Sequence, residues 1–228
     1  MASRYFSAQT FDFLTTLAAN NRRDWFLENK LRYEETVRQP ALDFIHDMST
    51  ELSMISPHFI ALPKKVGGSL MRVNRDIRFG KDKRPYKTNI GIQFRHERGK
   101  DVHAPGFYLH IEKDNCFVGV GIWRPDARAL GKVRDAIIEK SDAWLSARDN
   151  KAFTDHFTLS GDTLKTYPRG YDKHHPLIAD LRRKEFIAIA NLRQSNITST
   201  TLLPQVANHF SQATPLMHFL CKALELRF

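Results

Sequence analysis

Arg72, Arg75, Arg78, Lys81, Lys83 and Lys87 crowd into sixteen residues, together with Arg84, and the only acids among them are Asp76 and Asp82. Guanidinium forks and flexible ammonium groups at this density suit the oxygens of a phosphate, sulfate or carboxylate. Residues 61–100 carry twelve Lys and Arg against three Asp and Glu, which is nearly all of the chain's formal net charge of +10. Such a patch selects the sign of a partner without naming a reaction. Tyr86 and His110 are the candidate proton donors beside it, and Tyr108 and Trp123 add aromatic surface. Asp76 and Asp82 read most simply as internal counter-ions of the bases. A second polar loop, Pro168-Arg169-Gly170-Tyr171-Asp172-Lys173-His174-His175-Pro176, holds Arg169 and Asp172 as further pocket candidates. Its histidines match no metal-ligand spacing, so no metal centre is expected, and Asp172 is expected to cap loop backbone.

These groups need strands to hold them. From Gly67 the hydrophobic period becomes alternating, which predicts a strand over 71–79 with Met71, Val73, Ile77 and Phe79 on one side. Arg75 falls on that apolar side and has to find an anion, since an unpaired buried charge costs several kcal/mol. Two further strands place Ile90, Ile92 and Phe94, then Phe107, Leu109 and Ile111, inward. A turn at Lys113-Asp114-Asn115 leads to a return strand with Cys116, Val118, Val120 and Ile122 inward. The opposite face collects Gln93, Arg95, Tyr108, His110, Glu112 and Trp123, with Gly91, Gly119 and Gly121 among them. Glycines on one sheet face signal a close approach to the backbone, by a covering helix as the first expectation and by a ligand as the second.

Helices flank this sheet. Ser7 caps the first, and Asn21 with Asp24 three residues on predicts a capping box for the second. Pro40 interrupts or restarts the helix that carries Phe44, Ile45, Met48 and Leu52. Pro125-Asp126 opens another, the stretch 184–192 reads as a covered strand, and the C-terminal helical run breaks at Pro215. The whole chain, 1–228, reads as a single α+β domain: a central antiparallel sheet of at least four strands between N-terminal and C-terminal helices. No run approaches the roughly 18 apolar residues of a membrane span, and the first residues lack the core of a signal peptide, so a cytoplasmic protein without a membrane partner is expected. Cys116 and Cys221 stand far apart, as buried reduced thiols do. P-loop, zincin and nucleophile-elbow motifs are absent, and Gly119-Val120-Gly121 reads as strand and not as a dinucleotide loop.

The run Arg75-Asp76-Ile77-Arg78-Phe79-Gly80-Lys81-Asp82-Lys83-Arg84-Pro85-Tyr86-Lys87 resembles the bacterial and fungal family catalogued as domain of unknown function 2461. The resemblance extends to Asn21–Phe26, Pro105–Ile111, Gly119–Trp123 and Pro168–Asp172, from about Tyr5 to the C-terminal helices. It brings no activity, substrate or cofactor. Gly80 stands where that pattern has serine, and His174 where it has an acid before His-Pro, so the resemblance implies neither a serine nucleophile nor a carboxylate ligand there. Three functions fit the sequence: a site for a small anionic, phosphorylated molecule; a nucleic-acid-binding module using the segment 72–87; and a structural or interaction protein.

Overall fold

The computed structural model describes residues 4–78, 81–99 and 104–228. Helices α1 (Ala8–Ala19), α2 (Arg23–Glu28) and α3 (Lys30–Tyr33) lead through a π turn, Glu34–Arg38, into α4 (Gln39–Ile55). The π turn is where Pro40 acts. Proline has no N–H to offer the carbonyl of Thr36, and that oxygen instead accepts from the Thr10 hydroxyl at 2.8 Å. Thus Pro40 shifts the register without ending the helix, and the exchange ties α1 to α4.

Strands β1 (Phe59–Ile60), β2 (Ile90–His96), β3 (Gly106–Ile111) and β4 (Cys116–Ile122) follow. Next come α5 (Ala127–Glu139), α6 (Ser141–Arg148), α7 (Lys151–Thr154), β5 (Thr158–Ser160) and α8 (Ile178–Leu181). The chain closes with β6 (Phe186–Leu192), α9 (Gln194–Ile197), α10 (Leu202–Gln212) and α11 (Thr214–Ala223). The strands pair antiparallel in the order β1-β2-β3-β4-β6-β5, which is the expected α+β architecture with a longer sheet. Asp114 takes a φ of 59° in the expected hairpin turn, Asp126 caps α5 by accepting from the Ala129 N–H at 2.7 Å, and the C-terminal run breaks between α10 and α11. The three-residue β5 is too short to leave a periodic signal, and sequence reasoning misses it.

Every inward residue expected on β2, β3 and β4 is buried. Phe210 of α10 wedges against Phe94 and Phe107, with ring centroids 5.8 and 4.7 Å away, and Phe186 meets Trp144 of α6 edge-on. All the helices whose rings reach these strands do so on that one side. On the other side, apart from glycines, none of the outward residues of β2, β3, β4, β5 or β6 is fully buried. Among the described residues the helix expected over Gly91, Gly119 and Gly121 is therefore not there. Tyr108 and Met71 crowd Gly91, and Tyr108 and Phe117 flank Gly119. Gly121, with φ +110°, is pressed against the backbone of Phe186, leaving no room for a Cβ. The close approaches come from the sheet itself.

The segment expected as a strand over 71–79 is not a regular strand. It pairs only at the bridges Leu70↔Ile92 and Asn74↔Tyr86, and closes on itself through Lys87 N–H to Val73 O and Arg75 N–H to Pro85 O, both 2.8 Å. The described residues 73–78 and 81–87 form an irregular arm at the sheet edge, with Met71 exposed and Val73 and Ile77 half-buried. Two features break the ladder: Pro85 has no N–H, and Asp76 and Asp82 each capture the N–H two residues on, at Arg78 and Arg84. Phe79 and Gly80, two positions of the sequence reading, lie outside the described residues.

Asn21 does not cap α2, whose N-cap is Arg22. Its side chain instead clasps the backbone of Tyr86, accepting from the N–H and donating to the carbonyl at 3.0 Å each. The Tyr86 ring, expected near a pocket, is buried and stacks on Phe26 at 4.1 Å. It anchors the arm and is not placed to give a proton to a ligand.

Candidate functional site

The arm divides the basic residues into two groups. Asp82 receives the forked guanidinium of Arg84, Nη2 at 2.7 Å and Nε at 3.0 Å, and also pairs with Arg75. Asp76 receives Nε and Nη2 of Arg78 at 3.0 and 2.7 Å, and Lys83 Nζ donates to Ile77 O at 2.9 Å. The Arg84 fork holds the Asp82 carboxyl far below the usual carboxylate range, and Arg78 lowers Asp76 in the same way. Arg75, Arg78, Lys83 and Arg84 are thus spent on the arm's own shape, as the counter-ion reading of the two acids expects.

Arg72 and Lys87 differ. Among the described residues neither side chain has a hydrogen bond or a carboxylate within ion-pair distance, and Asp76 feels Arg72 only as a longer-range charge. Lys87 is half-buried, and desolvation first, then the nearby Arg72 charge, pushes its pKa below the ordinary lysine value. Two like charges, one of them partly out of water, leave room for a negative partner. Lys81, at the arm's tip, is exposed.

Lys87 borders a hollow of about 10 Å³ between α1, the π turn and the sheet edge, with Phe13, Leu17, Val37, Met71 and Asn89. That volume holds about one water, so any larger ligand has to sit at its mouth. Asn89 also reaches the outer sheet face, where its amide lies 3.4 Å from His110 Nδ1.

On that face β3 presents Tyr108, His110 and, just past its end, Glu112. The Tyr108 hydroxyl is 3.0 Å from His110 Nδ1, and His110 Nε2 is 3.3 Å from Glu112 Oε2. A carboxylate only accepts, so the imidazole proton sits on Nε2 and Nδ1 accepts from the phenol. Phe117, opposite on β4, stacks flat on the imidazole at 4.6 Å. Burial holds His110 below its usual pKa against the opposing pull of Glu112, and burial with the Glu112 charge pushes Tyr108 up to about 12. Burial alone would raise Glu112; hydrogen bonds from Asn115, His110 and Thr88 outweigh it and keep the carboxyl low. At pH 7 the row is a phenol, a neutral imidazole and a carboxylate.

Tyr108 and His110 are therefore brought together, and Asn89, which lines the hollow with Lys87, links that hollow to His110, while the Arg72 charge reaches Lys87. The other candidates are not. Trp123 is exposed past the end of β4, with Arg124 over its ring at 4.7 Å. Arg169 is exposed, and Asp172 accepts the His174 N–H at 2.9 Å, as expected of a loop cap. Among the described residues no group of three or more His, Cys, Asp or Glu converges as metal ligands. Thr88 and Asn89 escaped the sequence reading, Asn115 entered it only as a turn residue, and Glu112 only as one residue of the outward face. The signal for Glu112 was the period of two carried one step beyond the strand end.

Among the described residues no helix is long and apolar enough to cross a membrane. No curated protein and no solved structure matches the chain. The family model described as conserved hypothetical protein (DUF2461) matches residues 9–219, and the chain belongs to that family.

Proposed function

We propose that the outer sheet face beside the arm is a site for a small anionic molecule, phosphorylated in the favoured case, held by Arg72 and Lys87. The observation that carries this reading is the pair itself: two neighbouring cations with no carboxylate in ion-pair contact, in a segment where the other arginines have one; Asp76 reaches Arg72 only as a longer-range charge. The six-residue cluster of the sequence reading thereby narrows to two, with Lys81 and Lys83 at the periphery. Tyr108 and His110 supply a proton donor and acceptor at the same place.

Thermal melting at low salt in inorganic phosphate, sulfate and a panel of phosphorylated metabolites tests it. A ligand of the native state raises the melting temperature by mass action. The gain should vanish in the Arg72→Gln, Lys87→Met double variant and persist in Lys81→Glu, Lys83→Glu. The second reading, nucleic acid, is favoured by the exposed Trp123 with Arg124 on its ring. It gains if small anions leave the melt unmoved while oligonucleotides raise it with length and lose affinity log-linearly in salt.

A further inference from the structure

Tyr108, His110 and Glu112 occupy positions i, i+2 and i+4 of one strand face and are joined end to end. Hydroxyl, neutral imidazole and carboxylate in that order form the arrangement that activates a hydroxyl as a nucleophile: the base takes the proton and the third group holds and stabilises the base. The surroundings leave the phenol oxygen over bare backbone. Gly91 faces His110 and Gly119 faces Tyr108 across the two neighbouring strands. A methyl group at Gly91 would lie 2.7 Å from the Tyr108 oxygen and 2.9 Å from Met71 Sδ, so only glycine there lets the phenol hold its place beside the residue preceding Arg72.

Resting on the anion-site reading, we propose that Tyr108 is a nucleophile that takes the phosphoryl group of a small acyl phosphate bound at Arg72 and Lys87. The Tyr108 oxygen bonds to phosphorus as the bond from phosphorus to the acyl oxygen breaks, and the carboxylate leaves with the electron pair. The phenol proton passes to His110 Nδ1, and Glu112 stabilises the imidazolium. Water then attacks the phosphotyrosine, the imidazolium returns its proton to the departing phenolate, and hydrogen phosphate leaves with one proton released to solvent. Tyr108 and His110 are the catalytic residues, and Glu112 is a positioning residue.

The test incubates the full chain with acetyl phosphate, following phosphate release and the intact mass. The expected result is phosphate release with a phosphoryl adduct on Tyr108, both abolished in Tyr108→Phe, which keeps the ring and its packing. His110→Gln should slow the reaction by about a hundredfold, the scale of general-base catalysis. Glu112→Gln should slow it less and displace its pH profile, which a merely structural carboxylate would not do. If inorganic phosphate still protects the protein from melting while neither release nor adduct occurs, or if Tyr108→Phe is as active as the native chain, the nucleophile assignment is overturned and the anion site stands. If phosphate gives no protection, the anion site falls with it.

Discussion

Asp180 and Glu112 do the same elementary job in two parts of the molecule. Each accepts the N–H of a ring, from Trp144 at 2.9 Å and from His110 at 3.3 Å. Asp180 is sealed, with a side chain only 6% exposed, taking Arg148 at 2.6 Å and lying 3.6 Å from Arg183. Glu112 is 32% exposed, and the row that it anchors ends in the hydroxyl of a half-buried tyrosine. Nearby Arg134, buried, spends its guanidinium on the carbonyls of Leu181 and Arg183. Arginines around α8 are thus consumed in holding the loop 161–185, while the Arg72 side chain, toward the opposite end of the sheet, makes no hydrogen bond or ion pair among the described residues. A charged group closed on every side maintains a fold, and the same group left open at one end is available for chemistry.

The largest effect that separates these regions is expected from Asp180→Ala, which strands Arg183 and the Trp144 N–H in a dry environment and leaves Arg148 with Asp149 alone. It should cost about 3–5 kcal/mol by urea unfolding. Phosphate protection of the remaining folded molecules should stay intact; a loss below about 1 kcal/mol, or a lost phosphate response, would break the contrast. Asn21→Ala comes next, because it frees both backbone groups of Tyr86 at the base of the arm. About 1–2 kcal/mol of stability should go, and with it phosphate affinity, in a titration of the melt. If affinity survives, the arm's geometry does not set the site.

Smaller effects are read through pH. The His110 pKa is depressed by burial, so its contribution to stability is complete above its ordinary value of 6.5 and falls as pH drops through the lower folded value. The melting temperature should decline on that limb in the native chain and less so in His110→Gln. Lys87 sharpens the comparison from the other end. Its pKa is lowered, so phosphate affinity should fade as pH rises at values below 10.5, with Lys87→Arg moving the loss to higher pH. A pH-independent affinity up to 10.5 would separate Lys87 from the site.

Strands β2, β3 and β4 were legible because period two, with one face packed on helices, leaves an alternation that nothing local overrides. The arm was not legible as an arm. Its alternation mimics a strand, while Asp76, Asp82 and Pro85 take away the backbone groups a strand would use. Of the site, Tyr108 and His110 could be read from face and type. Lys87 could be read as a charge but not as an unpaired one, because pairing is a fact of space: Arg75 contacts Asp82 seven residues away, whereas Arg72 contacts no acid among the described residues and only feels Asp76 at longer range. The three glycines announced a crowded backbone correctly, but their neighbours turned out to be a phenol, a thioether and an adjacent strand.

Asn89 borders the hollow beside Lys87, and its amide touches the imidazole of His110. Arrival of an anion at the lysine therefore cannot shift that amide without altering what the ring's acceptor nitrogen feels. For an anion held as proposed, whatever factor its arrival applies to protonation of the ring, protonation applies to its affinity. In that proposal occupancy and acidity at this corner of the sheet are two readings of one equilibrium.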